Sequence, residues 1–340
     1  MTVLIAIHHR KGSYSERWQE YCREHGISFR VVNCYASDIM QQLSGVKGLL
    51  WHWHHTLPGD VLIARNLIRA VEMMGLKVYP NINTCWHYDD KIAQKYLLEA
   101  VGAPVVPTYV FYNQHDALAW CNQASFPKVF KLRKGAGAQN VKLVHTASEA
   151  RALILKAFNQ GFKPVPGYFR DFETKLGKTH LYTELGGKLR RLPKSLFTIY
   201  QANKLMGRER GYVYFQDFIA DNQYDTRVVI IGKRAFAYMR IVRPGDFRAS
   251  GAGKFEFDRD KLNTACIRAA FDVAQKLGAQ SLAFDFVTDG KKKPLLIEIS
   301  YSFGTVGLKQ CSGYFDDALT WHEETLLPED AILKDFLNEF

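Results

Sequence analysis

Near the end of this chain a single acid interrupts each of two apolar runs, and that pattern restricts the folds open to it. Asp285 lies within Ala283-Phe284-Asp285-Phe286-Val287, and Glu298 within Leu295-Leu296-Ile297-Glu298-Ile299-Ser300. A carboxylate buried in such a strand without a partner is costly, so the fold must bring a cation to each. Thr288-Asp289-Gly290-Lys291 reads as the turn between the two segments, and adjacent strands would set the acids side by side. Magnesium, held by one or two carboxylates together with substrate phosphates, is one suitable cation. An arginine in a structural ion pair is the plainer alternative.

The rest of the chain supplies the frame. Strands expected at 2–7, 28–33, 46–51 and 76–79 alternate with helices near 14–25 and 59–74, a βαβ pattern. In an open sheet of that kind ligands gather beyond the carboxyl ends of the strands. Here those ends carry His8-His9-Arg10 and Trp51-His52-Trp53-His54-His55, which are expected to face one cleft. A helix over 89–101 stops at Gly102, and Pro104-Val105-Val106-Pro107 opens a new unit. There, strands at 108–112, 126–132 and 141–144 with helices at 114–123 and 147–160 form an α+β lobe. Residues 162–210 break the rhythm with basic side chains such as Lys175, Lys188, Arg190 and Arg191 among Tyr and Phe, and read as an inserted hairpin plus a helix near 195–205. The last lobe has strands at 212–219, 225–232, 234–241, 281–287 and 294–299, a helix over 258–277 and closing helices over 316–340. The expected units are therefore 1–88, 89–210 and 211–340.

Composition narrows the function classes. Lys and Arg number 45 against 34 Asp and Glu, a formal charge of +11 that favours anionic partners: phosphates, carboxylates, nucleic acid or an acidic membrane. The six cysteines include no CxxC pair, so neither a zinc knuckle nor a disulfide framework is indicated, and reduced thiols in cytoplasm fit best. The apolar opening stops at His8-His9-Arg10, too short for a signal peptide, and no apolar stretch approaches the roughly 20 residues of a membrane helix. Peripheral contact with a membrane stays open.

Two further segments suit phosphate chemistry. Lys131 closes the buried run Phe126-Pro127-Lys128-Val129-Phe130-Lys131 and is followed by Lys134-Gly135-Ala136-Gly137-Ala138-Gln139, whose small residues let backbone N–H groups approach an anion. A plain hairpin is the ordinary reading of such a turn. Gln216-Asp217-Phe218-Ile219 offers a strand edge to an adenine, and Asp225, before Arg227, offers an acceptor to ribose hydroxyls. Taken alone, this second segment reads equally well as two core strands with surface charges.

In this order the motifs resemble the ATP-grasp superfamily, within it the branch of the ribosomal-protein glutamate-adding ligases, over about 80 to 310. Asp90-Lys91 resembles the family's helix-opening pair, and Val101 to Thr108 its proline-bearing linker. The resemblance implies an ATP-grasp fold behind an N-terminal Rossmann-like pre-ATP-grasp domain, α/β and α+β in class. It implies Lys91, Lys131, Lys134, Gly135, Gly137, Gln216, Asp217, Phe218, Ile219 and Asp225 as ATP contacts. Tyr238 to Ser250 resembles the family's arginine segment, which makes Arg240 and Arg248 catalytic and sets Arg227, Arg243 and Ser250 against substrate. Asp285, Glu298 and Ser300 match the metal position, where serine replaces the usual asparagine. The implied cofactors are ATP and two magnesium ions, for which manganese would substitute.

The implied reaction is attack of a carboxylate on the γ-phosphate, then displacement of phosphate by an amine, giving an amide. His8, His9, Arg10, His52, His54 and His55 are expected to contact an anionic substrate; a zinc site from the last three lacks an acidic or thiol partner. The basic insertion suits a nucleotide-sugar, a polysaccharide or a phosphorylated carrier, or equally a solvated basic face. The chain's overall basic and aromatic character suggests a uronic acid or other anionic sugar of cell-surface polysaccharide, in a cytoplasmic enzyme that binds no nucleic acid and is compatible with a homodimer. Two alternatives stay open: an ATP-grasp kinase of a polyanionic alcohol such as an inositol phosphate, and a basic nucleic-acid or membrane-binding protein.

Overall fold

Four short strands begin the computed structural model, which describes residues 3–135, 140–163, 207–243, 245–248 and 254–340. β1 (Ile5–His8), β2 (Phe29–Val32), β3 (Gly48–Leu50) and β4 (Lys77–Tyr79) are parallel in the order β2-β1-β3-β4. β1 and β3 are buried at every position, which explains their nearly unbroken apolar runs. The connections carry helices α1 (Tyr14–Glu24), α2 (Ile39–Gln42) and α3 (Pro58–Met73), and α4 (Ile82–Cys85) follows β4. Because β2 and β3 lie on opposite sides of β1, the chain reverses direction between β1 and β3. The loops after those two strands therefore flank a crevice.

Helix α5 (Lys91–Ala100) opens on Asp90, whose side chain accepts from the N–H groups of Ile92 and Ala93 and so satisfies two otherwise orphaned donors. After it the chain enters a small antiparallel sheet, order β5-β8-β6-β7, built from β5 (Thr108–Phe111), β6 (Lys128–Lys131), β7 (Val141–Val144) and β8 (Val213–Asp217). Helices α6 (Gln114–Gln123) and α7 (Ala147–Phe158) cover it with a core of their own that includes Phe130, Ile154 and Phe215.

The large sheet runs β13-β12-β9-β10-β14-β15, with β11 beside β10. Its strands are β9 (Tyr224–Ile231), β10 (Arg234–Ile241), β11 (Phe255–Glu256), β12 (Ser281–Thr288), β13 (Pro294–Ser300), β14 (Tyr314–Asp316) and β15 (Trp321–His322). Helix α8 (Thr264–Leu277) lies against it and ends at Gly278 in the left-handed conformation (φ 60) that glycine adopts without penalty. One buried cluster passes without a break from Leu49 and Trp53 of the first unit to Val228 and Phe284 of the large sheet. The linker is stitched to the same sheet, since Val106 N–H donates to Leu296 O (3.0 Å) and Leu296 N–H to Pro104 O (2.6 Å).

Most expected elements appear within a few residues of their predicted bounds, with two corrections. The helix expected over 258–277 begins only at Thr264, because Asn263 caps it and a 3-10 turn occupies Arg259–Lys261. Of the expected closing helices over 316–340 only α9 (Pro328–Leu337) forms, since β14 and β15 pair as strands before Pro328 starts the helix. The hairpin and helix expected within 162–210 lie almost wholly outside the described residues. All six cysteines are free and buried. Among the described residues no helix is long and apolar enough to cross a membrane.

Candidate active site

Between the small and large sheets lies a cleft of about 440 Å³. Val129 and Lys131 of β6 line it from one side; Asp225, Arg240, Asp285 and Glu298 line it from β9, β10, β12 and β13. Lys91 reaches in from the start of α5, with Gly135 beside it, and Arg248 from the segment after β10. Gln216, Asp217, Phe218 and Ile219, at the end of β8 and just beyond, complete the wall.

Lys131 ends a strand buried at all its positions and is itself only 5% exposed. Its ammonium donates to Gln216 Oε1 at 2.6 Å. Burial lowers its pKa from 10.5 to about 8; nearby Glu298 and Asp285 oppose that shift and Lys91 reinforces it. Lys91, also buried, donates to the Gly135 carbonyl at 2.6 Å. Gly135 N–H in turn donates to Asp89 Oδ1 at 2.8 Å, and burial raises the Asp89 carboxyl to about 6. Asp89 was not foreseen as part of the site; a second acid before Lys91 was its only signal.

The acids on the large sheet are set by register. Glu298, Asp285 and Arg227 stand abreast on β13, β12 and β9, while Asp225 faces Arg240 across β9 and β10. Arg227 grips Asp285 with two bonds of 2.7 and 2.8 Å, and Arg240 Nη2 lies 2.8 Å from the same Asp285 Oδ2. Arg240 also bonds both oxygens of Asp225, through Nε at 2.6 Å and through Nη2. Burial alone would raise the Asp285 carboxyl, but the two guanidinium groups outweigh it and hold the group below the usual carboxylate range. Burial likewise raises Asp225, and there Arg240 does not overcome it.

These bonds modify several expectations. Asp225, expected to accept from a ribose, already receives two hydrogen bonds from Arg240. Arg227, expected at substrate, is committed to Asp285 and is not a lining residue of the cleft. Asp285, expected to hold metal, pairs with two arginines. Glu298 is half-buried and lines the cleft, and its carboxylate accepts no hydrogen bond among the described residues. Ser300 turns its hydroxyl to Ser302 O at 3.3 Å and lies outside the lining, as do half-buried Lys134 and exposed Arg243. Gly137 and Ser250 fall outside the described residues. Arg248 bonds Asp246 through Nε (2.8 Å) and Nη2 (3.0 Å), and both line the cleft.

One open carboxylate beside a second that is bonded to arginine suits magnesium whose remaining ligands are phosphate oxygens and water. Among the described residues no group of three His, Cys, Asp or Glu side chains could hold a metal ion by itself.

The strand-end histidines divide. His8 is core: it is 6% exposed, accepts from Cys34 N–H at 3.1 Å and meets Tyr35 and Trp51 edge-on. His9 is exposed and bonded to Gln19 (2.8 Å). His52 stacks on Tyr14 at 3.6 Å and bonds Ser302 Oγ at 2.9 Å, joining the first unit to the segment after β13. Arg10 donates to His52 O at 3.2 Å, and its Nε is buried without an acceptor. His54 and His55 pair with Thr56 and Tyr88, and burial lowers them to about 3 and about 4, so both are neutral near pH 7. None of the six lines the cleft between the sheets; the five other than His8 lie on the loops that follow β1 and β3.

No protein-family model and no curated protein sequence matches the chain. Solved structures do. A RimK domain ATP-grasp protein from Sphaerobacter thermophilus DSM 20745 is 15% identical over 98% of each chain, with a TM-score of 0.59. D-cycloserine synthetase DcsG is 15% identical over 98% of this chain and 99% of its own, with a TM-score of 0.57. D-alanine–D-alanine ligase from Bacillus anthracis, solved with ATP, is 12% identical over 100% of this chain and 98% of its own, with a TM-score of 0.56. The chain thus has the fold of these proteins.

Proposed function

We propose, from the ATP-grasp fold and the contents of its cleft, that the protein is an ATP- and magnesium-dependent ligase that joins a carboxylate to an amine. One observation carries the reading: Lys91, Lys131, Arg240 and Arg248 converge with Glu298 and Asp285 on a single cleft. Phosphoryl transfer requires little else from a protein than charge in place and reactants in line.

The ammonium groups of Lys91 and Lys131 each have one acceptor among the described residues, which leaves donors for phosphate oxygens. The apolar wall of Val129, Ile219, Val287 and Ile297 suits a purine, beside the backbone of Gln216 to Ile219. Glu298, with Asp285 beside it, would hold magnesium, which supplies positive charge against the transferring phosphoryl group. Arg240 and Arg248 add to that charge from the opposite edge. In the first step a carboxylate oxygen bonds to the γ-phosphorus as the bridging P–O bond breaks and ADP leaves. In the second the amine nitrogen bonds to the acyl carbon as phosphate departs, and the amine gives up a proton.

Arg10, which forms no salt bridge among the described residues, lies with the neutral imidazoles of His54 and His55 on the loops after β1 and β3 and offers a cation to an anionic substrate there. No feature of the described residues selects a uronic acid, so the substrate class stays an anionic carboxylate. A screen of acids and amines for ADP release tests the function, repeated with Lys131→Ala and Glu298→Ala. Turnover that survives both substitutions contradicts the site. Phosphorylated product that accumulates without any amine contradicts the ligase reading and favours phosphorylation of an alcohol.

A further inference from the structure

Residues 133–135, which lead into the Gly-rich segment, are held from two sides. On one side stands the start of α5. Lys91 N–H donates to Arg133 O at 3.0 Å, the Lys91 ammonium to Gly135 O at 2.6 Å, and Gly135 N–H to Asp89 at 2.8 Å. Arg133 Nη1 lies 3.6 Å from Asp90, the cap of the same helix. On the other side stands Glu209, a carboxylate only 4% exposed that the proposed chemistry does not use. Its Oε2 accepts the Tyr212 hydroxyl at 2.8 Å and lies 3.5 Å from Arg133 Nε. Tyr212 Oη accepts the Arg133 N–H at 2.7 Å. Glu209 is fixed in turn by a two-way backbone bridge to Phe162, at 2.8 and 2.9 Å.

The direction of these bonds matters. With its one proton given to Glu209, the Tyr212 oxygen has only lone pairs left to offer, and they face Arg133 N–H. The carbonyl of that same residue receives the N–H of Lys91. Apart from the backbone bridge to Phe162, the Glu209 network therefore ends on 89–91 or 133–135, the stretches that bring Lys91 and Gly135 to the cleft.

We propose that Glu209 is a positioning residue for the nucleotide: acting through Tyr212 and Arg133, it sets where the Lys91 ammonium meets the phosphates. The proposal rests on the cleft being a nucleotide site. Its signature is dependence on Lys91, because a network that only held the fold together would affect binding whether or not that ammonium were present.

The test is a double-mutant cycle on the full chain, with magnesium-ADP as probe and calorimetry as readout. Lys91→Ala is expected to weaken ADP binding, and Glu209→Gln to weaken it by about tenfold, the size of one strong coupling. In the Lys91→Ala background the added Glu209→Gln is expected to change affinity less than about twofold. If Glu209→Gln does not fold, Tyr212→Phe breaks the same relay while keeping the ring, with the same pattern expected. A Glu209 or Tyr212 variant that binds ADP like the unmodified protein overturns the proposal, and so do losses that add independently of Lys91. Failure of the unmodified protein to bind ADP is a different result, which sinks the nucleotide site and the proposal with it.

Discussion

Lys131 gives the sharpest quantitative test of the proposed site, because its burial would tie nucleotide binding there to pH. In the folded chain its pKa falls from 10.5 to about 8, while in the unfolded chain it keeps the ordinary value. Between those limits the unfolded state binds more protons, so stability rises with pH; the charge destabilises the fold fully below about pH 8, by about 3 kcal/mol. A phosphate group at the ammonium would supply the missing countercharge and return the pKa toward 10.5. Magnesium-ADP should then bind with nearly constant affinity up to about pH 7, about twofold more weakly at pH 8 and about tenfold more weakly at pH 9, taking up close to one proton there. Calorimetry in buffers of different ionisation heat measures both quantities. Lys131→Met should bind more weakly at neutral pH and lose the dependence altogether. The reasoning is refuted if affinity stays flat from pH 7 to 9, or if the decline persists in Lys131→Met.

Three further outcomes follow from the geometry. Glu298→Gln should abolish the strengthening of ADP binding by magnesium while leaving metal-free ADP affinity unchanged, as measured by titration with and without a chelator. Arg240→Met removes a partner from two buried carboxylates at once and should lower unfolding free energy by about 3–5 kcal/mol, read from urea denaturation; a loss below about 1 kcal/mol would mean that Arg227 alone satisfies the network. His54→Ala should raise the KM of the acid substrate without changing ADP affinity. Because its imidazole is already neutral, that effect should not vary between pH 6 and 8.

What sequence revealed and what it hid divide along distance in the chain. Elements were legible because apolar periodicity is local: β9, β10, β12 and β13 read directly as runs, and a short turn predicted that Asp285 and Glu298 would be neighbours, as their register is. The partners of those acids were not legible. Asp225 and Arg227 are two apart on one strand and share a face, yet which acid each arginine meets depends on β9 lying between β10 and β12. Charged pairs between distant segments, such as Arg133 with Glu209, leave no periodic trace at all. His8 was grouped with its neighbours by type, but a strand buried along its whole length carries its last residue inside too. The end of the chain was misjudged because Tyr314–Asp316 and Trp321–His322 are too short for a period to emerge.

The pairing of β12 with β13 slips by one residue just beyond Asp285: Phe286 faces Leu296, yet Asp285 faces Glu298. Counted onward from Leu296, an unbroken ladder would have put Ile297, not an acid, across from Asp285. The meeting of the two carboxylates is thus an effect of spacing as much as of residue type. A lineage of such chains could gain or lose it through the insertion or removal of one codon, with no acidic residue ever being replaced.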